Sequence, residues 1–577
     1  MAKKPTDLKA LALKALGGLD AAVPALTGPN NPMSEVIQDY EKLKVDRSGW
    51  ERRWQEIANL MVPRRADFTT KRMSGEERRS QIVDSTAVRN VSRFAAGLHN
   101  MLTPAAAPWF ILKPTYKPLE EVREVQLWLE EITRLVQGHF ASPKSNFHSS
   151  AYEFYTDLGS FGTSNLFVED VAGIGPFYRS FPLAKTFFAT NSRGQIDCVY
   201  REYTQTAKGL IEQFPKEMIP EKAIKKLEEG KPFEEFECLH VIKPWHALKM
   251  GSPLQLIPKA FISLHIFIPD KAVMEVSGYD EFPFVVSRWC KNEDETYGRG
   301  PGSDALPDVK MLQEMEKTYL KALQKQVDPP LTLPDDGFLG QIKTYPGAIN
   351  IHRNGYLQKE VIGLFPRAQP QYADNKMAQI RDSINKTFYL DIMELPGPTA
   401  PDGDVYRFTA TEVATRQRDR LGIIGPIVAR QESEFLSPLI ERTYKVMIRA
   451  GMLPPPPEIM QEVDLRIEYV NPVSVSQRSI ELNSINQLVQ YHMPLAQIDP
   501  NALKRLNISR ITELGAEILN VPPSVIYTNE EMAQIAQAEQ EQMQQQQQME
   551  QQQAGAEVDE KRSVASLNEA KAQQAAA

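Results

Sequence analysis

The chain has 577 residues, 42% hydrophobic and 24% charged, which is too long for one hydrophobic core and ordinary for a folded chain of several domains. Its formal net charge of −8 argues against a broad surface that grips nucleic acid through clustered Lys and Arg; a polyanion would be passed along, not held. Cys198, Cys238 and Cys290 include no CxxC pair, which fits a reducing compartment without a disulfide framework.

Residues 1–32, rich in Ala, Leu, Gly and Pro, read as a flexible arm. Lys3, Lys4, Asp7, Lys9 and Lys14 interrupt it, so it lacks the apolar core of a signal peptide, and no run of about 20 apolar residues offers a membrane span. Ser48-Gly-Trp-Glu51 has the form of a capping box, predicting a helix that starts there, carries Trp50, Trp54, Ile57 and Met61 on one face and ends before Pro63. The basic stretch Arg64, Arg65, Lys71, Arg72, Arg78 and Arg79 reads as a solvated loop, and a second helix is expected over 86–102. From Ser150 to Arg288, short β-branched and aromatic runs with a hairpin turn at Asn191-Ser-Arg-Gly194 predict an antiparallel sheet. Residues 33–303 thus read as an α+β domain.

The helix expected over 304–327 carries Leu312, Met315, Tyr319 and Leu323 on one face and Lys310, Lys317, Lys321 and Lys325 on the other. Asp328-Pro-Pro330 stops it, and a turn-rich, strand-like insert follows over 328–367. A second helix over about 371–389 presents Met377, Ile380, Ile384 and Phe388 on one face. The Gly/Pro-rich stretch 391–408 is a loop, in which Asp402 and Asp404 fit a turn better than a cation site. Thr409 and Glu412 form a second capping box, opening a helix predicted to reach Gly451, about 60 Å long at 1.5 Å per residue and bent at Gly425-Pro426. Residues 477–530 look helical with two breaks, and the Gln-rich segment 531–577 reads either as disorder or as a barrel of parallel helices.

Motifs for chemistry are sparse. There is no GxxxxGK[ST] loop and no HExxH, and Tyr297-Gly-Arg-Gly-Pro-Gly302 lacks the GxGxxG spacing. Cys238, His240 and His246 lack a fourth ligand at metal spacing and read as strand residues. No catalytic, cofactor or metal residue is assigned, and a non-enzymatic role is expected.

Thr409-Ala-Thr-Glu-Val413, the Gly425-Pro426 bend and the Glu434–Arg442 stretch (Glu-Phe-Leu-x-Pro-Leu-Ile-x-Arg) together resemble the head-to-tail connector, or portal, family of short-tailed phages. Pro63-Arg-Arg-Ala-Asp-Phe68, Ala95-Ala-Gly-Leu98 with Leu102-Thr103, Gly159-Ser-Phe-Gly-Thr163, Tyr297-Gly-Arg-Gly-Pro301 and Val327-Asp-Pro-Pro330 follow in the family's order, over roughly 35–530. The resemblance implies a virion protein that forms a homo-oligomeric ring of twelve subunits at one capsid vertex, with double-stranded DNA passing through its channel. It implies a wing at 33–303, stem helices at 304–327 and 368–390, a clip at 328–367 and a channel loop at 391–408 holding Asp402, Asp404 and Arg407. A bent helix with a return to the wing would follow at 409–476, a crown at 477–530 and a tail or barrel at 531–577. Partners implied are the major capsid and scaffolding proteins, the terminase large subunit and the tail adaptor, with no membrane. On that reading Lys310, Lys317, Lys321 and Lys325 are candidates to face the channel; the plainer alternative pairs them with Glu314 and Glu316 on a solvated or inter-subunit face. Competing functions are a metal-dependent DNA-processing enzyme of a phage, which would need a carboxylate or His cluster, or a different virion structural or adaptor protein.

Overall fold

The structure is a computed structural model that describes residues 32–65, 67–70, 75–76, 82–215, 218–247, 259–327, 331–332, 362–363, 370–393, 422–460, 463–470, 482, 484–494, 506–519, 521, 525, 527 and 529–575. Residues 1–31, most of the 328–367 insert, the 394–408 stretch with Asp402, Asp404 and Arg407, and the Thr409 capping box lie outside these. In chain order the elements begin α1 (Pro32–Met61), α2 (Thr86–Leu102), β1 (Phe110–Pro114), α3 (Arg123–Ala141), α4 (Phe147–Phe161), β2 (Thr163–Val171), β3 (Gly175–Ser180), β4 (Thr186–Thr190) and β5 (Ile196–Thr206). They continue α5 (Ala207–Gln213), α6 (Glu221–Glu228), β6 (Glu235–Pro244), β7 (Phe261–Phe267), β8 (Ala272–Tyr279), β9 (Phe284–Arg288), α7 (Pro301–Val327), β10 (Leu331–Thr332), β11 (Ile362–Gly363), α8 (Pro370–Thr387) and α9 (Leu390–Met393). After them come α10 (422–431), a π-helical stretch (Glu432–Leu436), α11 (Ser437–Arg449), β12 (Leu465–Tyr469), α12 (484–494), α13 (Ile508–Leu519) and α14 (Asn529–Ala575). This is an α+β chain, and it divides into two compact units: 1–109 with 136–453, and 110–135 with 454–577.

The first unit contains two antiparallel sheets, β3-β2-β9 and β4-β5-β6-β7-β8. The expected Asn191–Gly194 turn joins β4 to β5: the Asn191 side chain accepts from the Arg193 and Gln195 amides, and the Gly194 amide donates back to the Asn191 carbonyl at 2.9 Å. On the five-stranded sheet the period of two buries Phe187, Tyr200, Leu239, Val241, Leu264 and Ile266 on one face, against Val36, Ile37 and Tyr40 of α1. Those three residues also explain why α1 does not begin at the Ser48 capping box. They extend the apolar stripe upstream, so the helix runs on from Pro32 and Ser48 sits exposed within it. Arg47, one residue earlier, is buried. It donates to the carbonyls of Leu183, Ala184 and Thr186, pairs with Glu51 at 2.7 Å and lies over the Phe187 ring at 3.6 Å.

Two glycine motifs far apart in sequence meet. Gly162, with φ +78°, closes α4, and a Cβ there would stand 2.3 Å from the Gly300 amide nitrogen. A Cβ at Gly298 would lie 2.6 Å from the Gly162 carbonyl, one at Gly300 2.6 Å from that of Leu158, and one at Gly302 2.4 Å from that of Ser160. The backbone leading into α7 therefore lies directly on the end of α4. The bond from the Trp289 amide to the Gly162 carbonyl, 2.9 Å, and that from the Gly298 amide to Thr163 Oγ1, 2.8 Å, fix the register.

In the second unit β1 and β12 form an antiparallel ribbon, with Lys113 paired to Glu468 at 2.7 Å and the Leu112 amide donating to Thr133 Oγ1. The Gln-rich segment is not loop. Asn529–Ala575 is one helix of 47 residues, about 70 Å long, whose described side chains are largely exposed; it forms because Gln, Glu and Ala all propagate helix and no proline interrupts them.

Replacing Gly300 by Ala should destabilise the protein by about 1–3 kcal/mol, since backbone, not a mobile side chain, blocks the new methyl. Gly49→Ala, where nothing lies within 4 Å of the new carbon, should instead stabilise α1 by about 0.5–1 kcal/mol. Urea denaturation of the two variants checks both signs.

Candidate functional site

The segment that leaves the glycine joint is the helix pair α7 and α8. α7 starts at Pro301, three residues before the expected Asp304. α8 buries Met377, Ile380 and Ile384, with Phe388 just beyond it, as the spacing predicted; α7 instead buries Ala305, Leu306, Val309 and Leu312, and Met315, Tyr319 and Leu323 of the expected stripe are only half-buried. The helices run antiparallel, joined by Ser383 to Asp308 at 2.8 Å, Arg381 to Glu316 at 3.1 Å and Tyr319 to Asp374 at 3.2 Å.

Asp84, just before α2, ties the pair to the body. Its carboxylate accepts from Arg381 Nε at 2.9 Å and from the Thr86 amide at 2.7 Å. The Gln313 side chain accepts from the Val83 and Asp84 amides and donates to the Asp84 carbonyl. Burial pushes the Asp84 carboxyl up, but the Thr86 bonds and the Arg381 guanidinium together hold it below its ordinary value. Asn90 donates to Asn385 at 2.7 Å, and a Cβ at Gly97 would meet Met393 Sδ at 2.8 Å, so α2 seats directly against the end of the pair.

Proline and arginine cooperate at the root of α7. Pro307 has no amide proton for the Ser303 carbonyl, and Arg53 Nη2 of α1 donates to that oxygen instead, at 3.1 Å. Arg52, Arg53, Glu56 and Gly49 of α1 then face Leu306, Pro307 and Lys310 across an open groove of about 480 Å³. Lys310 pairs with Glu56 at 2.7 Å, and Lys317 with Glu314 at 3.4 Å. Lys321 is exposed, and Lys325 lies in the last turn of α7. Glu316, a possible lysine partner on the sequence, instead holds Arg381.

Gly425 and Pro426 lie within α10, Pro426 exposed. The change in helical hydrogen bonding falls later, at Glu432–Leu436. Buried Gln431 accepts from Ser287 Oγ at 2.8 Å and donates to the Arg288 carbonyl at 3.1 Å, while Glu434 accepts from the Arg288 amide and guanidinium. Phe435 stacks on Phe154 with centroids 4.0 Å apart. Farther along, buried Arg442 pairs with Glu281 at 2.9 Å, and Arg449 binds the same carboxylate. Sequence reading did not single out Asp84, Gln313, Arg381 or Gln431, and it named Arg442 only as the end of the Glu434–Arg442 stretch. For Gln431 and Arg442 the available signal was a polar residue where the helix stripe calls for an apolar one; Asp84 lies ahead of α2, where no stripe runs.

Cys238 and His240 are buried on β6 and His246 is exposed, and among the described residues no group of three or more His, Cys, Asp or Glu could hold a metal ion. Among these residues, too, no helix is long and apolar enough to cross a membrane.

Residues 33–526 match the family of bacteriophage head to tail connecting proteins. The chain belongs to that family. Over 506 residues it is 29% identical to a probable portal protein of Bordetella phage BPP-1, and over 520 residues 28% identical to a portal protein of Salmonella phage epsilon15; each match covers 87% of this chain and 90% of the relative. A solved chain from the virion of a native gene transfer agent particle aligns at 11% identity over 70% of this chain and 85% of that one, with a TM-score of 0.34, too slight a likeness to argue from. Membership makes the protein a structural connector between phage head and tail.

The Asp84 carboxylate gives an acid signature. Its folded pKa is lowered, so its contribution is fully present above the ordinary carboxylate range and fades as pH falls through the lower folded value. Stability should therefore drop below about pH 4, and Asp84→Asn, already weaker at pH 7, should lose less over the same range. Urea midpoints between pH 6 and pH 2 measure the difference.

Proposed function

We propose that this protein is the portal of a tailed phage: a ring at one capsid vertex through which double-stranded DNA enters the head and leaves it. The observation that carries the reading is the family match across 33–526, joined to relatives named as portal proteins that align over 87% of the chain. The ring holds twelve copies, sits in the virion at the portal vertex and is assembled in the host cytoplasm. The major capsid and scaffolding proteins surround it, the terminase large subunit docks during packaging and the tail adaptor afterwards. The work is mechanical, with no catalytic step assigned to any residue.

In this reading α7 and α8 are the stem, the β10–β11 insert is the clip, residues 33–303 are the wing, and α12 and α13 belong to the crown. The channel loop, expected at 391–408, begins only after α9, which takes Leu390–Met393, and holds Asp402, Asp404 and Arg407. Lys310, Lys317, Lys321 and Lys325 face the channel. Two of them already have carboxylate partners, at 2.7 and 3.4 Å, so a phosphate meets a cation that is partly neutralised. Contact is brief on that account, and a net charge of −8 per subunit keeps a sliding polyanion from adhering.

Negative-stain electron microscopy of the purified full-length chain is the direct check. Discs with a central hole wide enough for duplex DNA and a rotational order near twelve are expected. A monodisperse monomer at every concentration and salt, or closed particles with no hole, would overturn the reading.

A further inference from the structure

A polar row crosses one face of the five-stranded sheet. The register places Thr186 of β4, Arg201 of β5, His240 of β6, His265 of β7 and Glu275 of β8 side by side, behind the apolar face that packs on α1. The two imidazoles stack almost parallel, with centroids 4.1 Å apart and 8° between planes. His240, 4% exposed, has Nε2 at 3.0 Å from Ser263 Oγ, and His265 Nδ1 lies 3.0 Å from the Tyr203 hydroxyl. Arg201 lies over the Phe181 ring at 4.1 Å and the Tyr203 ring at 4.9 Å.

Stacking occupies the faces of the guanidinium and leaves its in-plane N–H groups to find acceptors. Arg201 Nε is buried with no hydrogen-bond partner, and so is Nδ1 of His240 on the adjacent strand. Among the described residues no ion pair reaches Arg201; Glu169, which acts on it at a distance, pairs with Arg179 at 3.8 Å. Burial, with Arg201 beside them, holds both histidines far below the ordinary imidazole range, His265 down to about 3. The charge at the centre of the row is thus that of the arginine.

We propose that Arg201 and His240 bind a small inorganic anion, chloride being the simplest, between Arg201 Nε–H and His240 Nδ1–H. Arg201 is half-buried as a whole, but its Nε is shut off from solvent, and two buried unpartnered nitrogens on adjacent strands mark where an acceptor belongs. His240 can present a proton at Nδ1, because the partner of Nε2 is a hydroxyl that can donate as readily as accept. A water molecule would satisfy the geometry as well, but an anion adds a Coulombic attraction to the guanidinium that water lacks. The anion lies inside one subunit and stiffens the sheet, so the inference stands apart from the portal reading.

The test uses the full-length protein crystallised in sodium bromide. An anomalous peak within bonding distance of Arg201 Nε and His240 Nδ1 is expected, and water at that position with no bromide peak would overturn the proposal. At equal ionic strength the melting temperature should be about 2–4 °C higher in chloride than in methanesulfonate, a bulkier and more weakly binding anion. Arg201→Met, which keeps a flexible stem over Phe181, should abolish that difference; if the variant does not fold, the wild-type bromide peak alone decides.

Discussion

The structure turns on a place where two stretches of backbone touch with no side chain between them. Gly162 at the end of α4 and Gly298, Gly300 and Gly302 ahead of and inside α7 approach so closely that any added Cβ would fall within 2.6 Å of a backbone atom. A contact between main chains has no rotamers to adjust, so it fixes the direction in which α7 leaves the sheet body. The helices around the joint repeat the device on a softer scale, with Gly159 against Phe94 and Gly97 against Met393. In the proposed ring, a joint of this kind would hold the rod at one angle in every copy.

Buried charges supply the remaining orientation. Arg47 gathers three carbonyls between β3 and β4, Arg288 receives Glu434 from the π-helical stretch, and Arg442 and Arg449 share Glu281. Each arrangement is satisfied along several directions, so the helix that carries it cannot slide by a turn without leaving a charge unpaired. Apolar packing alone would tolerate such slippage far better. Charge here specifies register more than it adds stability.

Much of this was legible in the residues. The α8 stripe, the α2 boundaries and the Asn191 hairpin follow from periodicity and turn chemistry, because each is local, whereas of the expected α7 stripe only Leu312 is buried. The Ser48 capping box misled because a cap ends a helix only where nothing upstream continues its stripe, and Val36, Ile37 and Tyr40 do continue it. Gln-rich composition left disorder and a barrel of parallel helices both open, since it offers no apolar face; propensity draws α14 out as helix. In the candidate site, Lys310 and Lys317 could be placed on a face of α7, but their partners could not all be named: Glu56 is 254 residues from Lys310. Asp84, Gln313 and Arg381 meet only after folding brings residues some 230 to 300 positions apart together, and no spacing rule reaches that far. The glycine motifs were visible as motifs, but that they were each other's partners was not.

Hydrogen exchange at the joint is the most direct measure of the claim that it is rigid. The amides of Trp289, Gly298 and Arg299, bonded to the Gly162 carbonyl, Thr163 Oγ1 and the Cys290 carbonyl, should exchange only as slowly as the β2–β9 pairing does, by unfolding of the whole unit. Exchange of these amides orders of magnitude faster than that of Leu166 and Val286 would mean the root of α7 opens on its own, and the account of a fixed rod would fail.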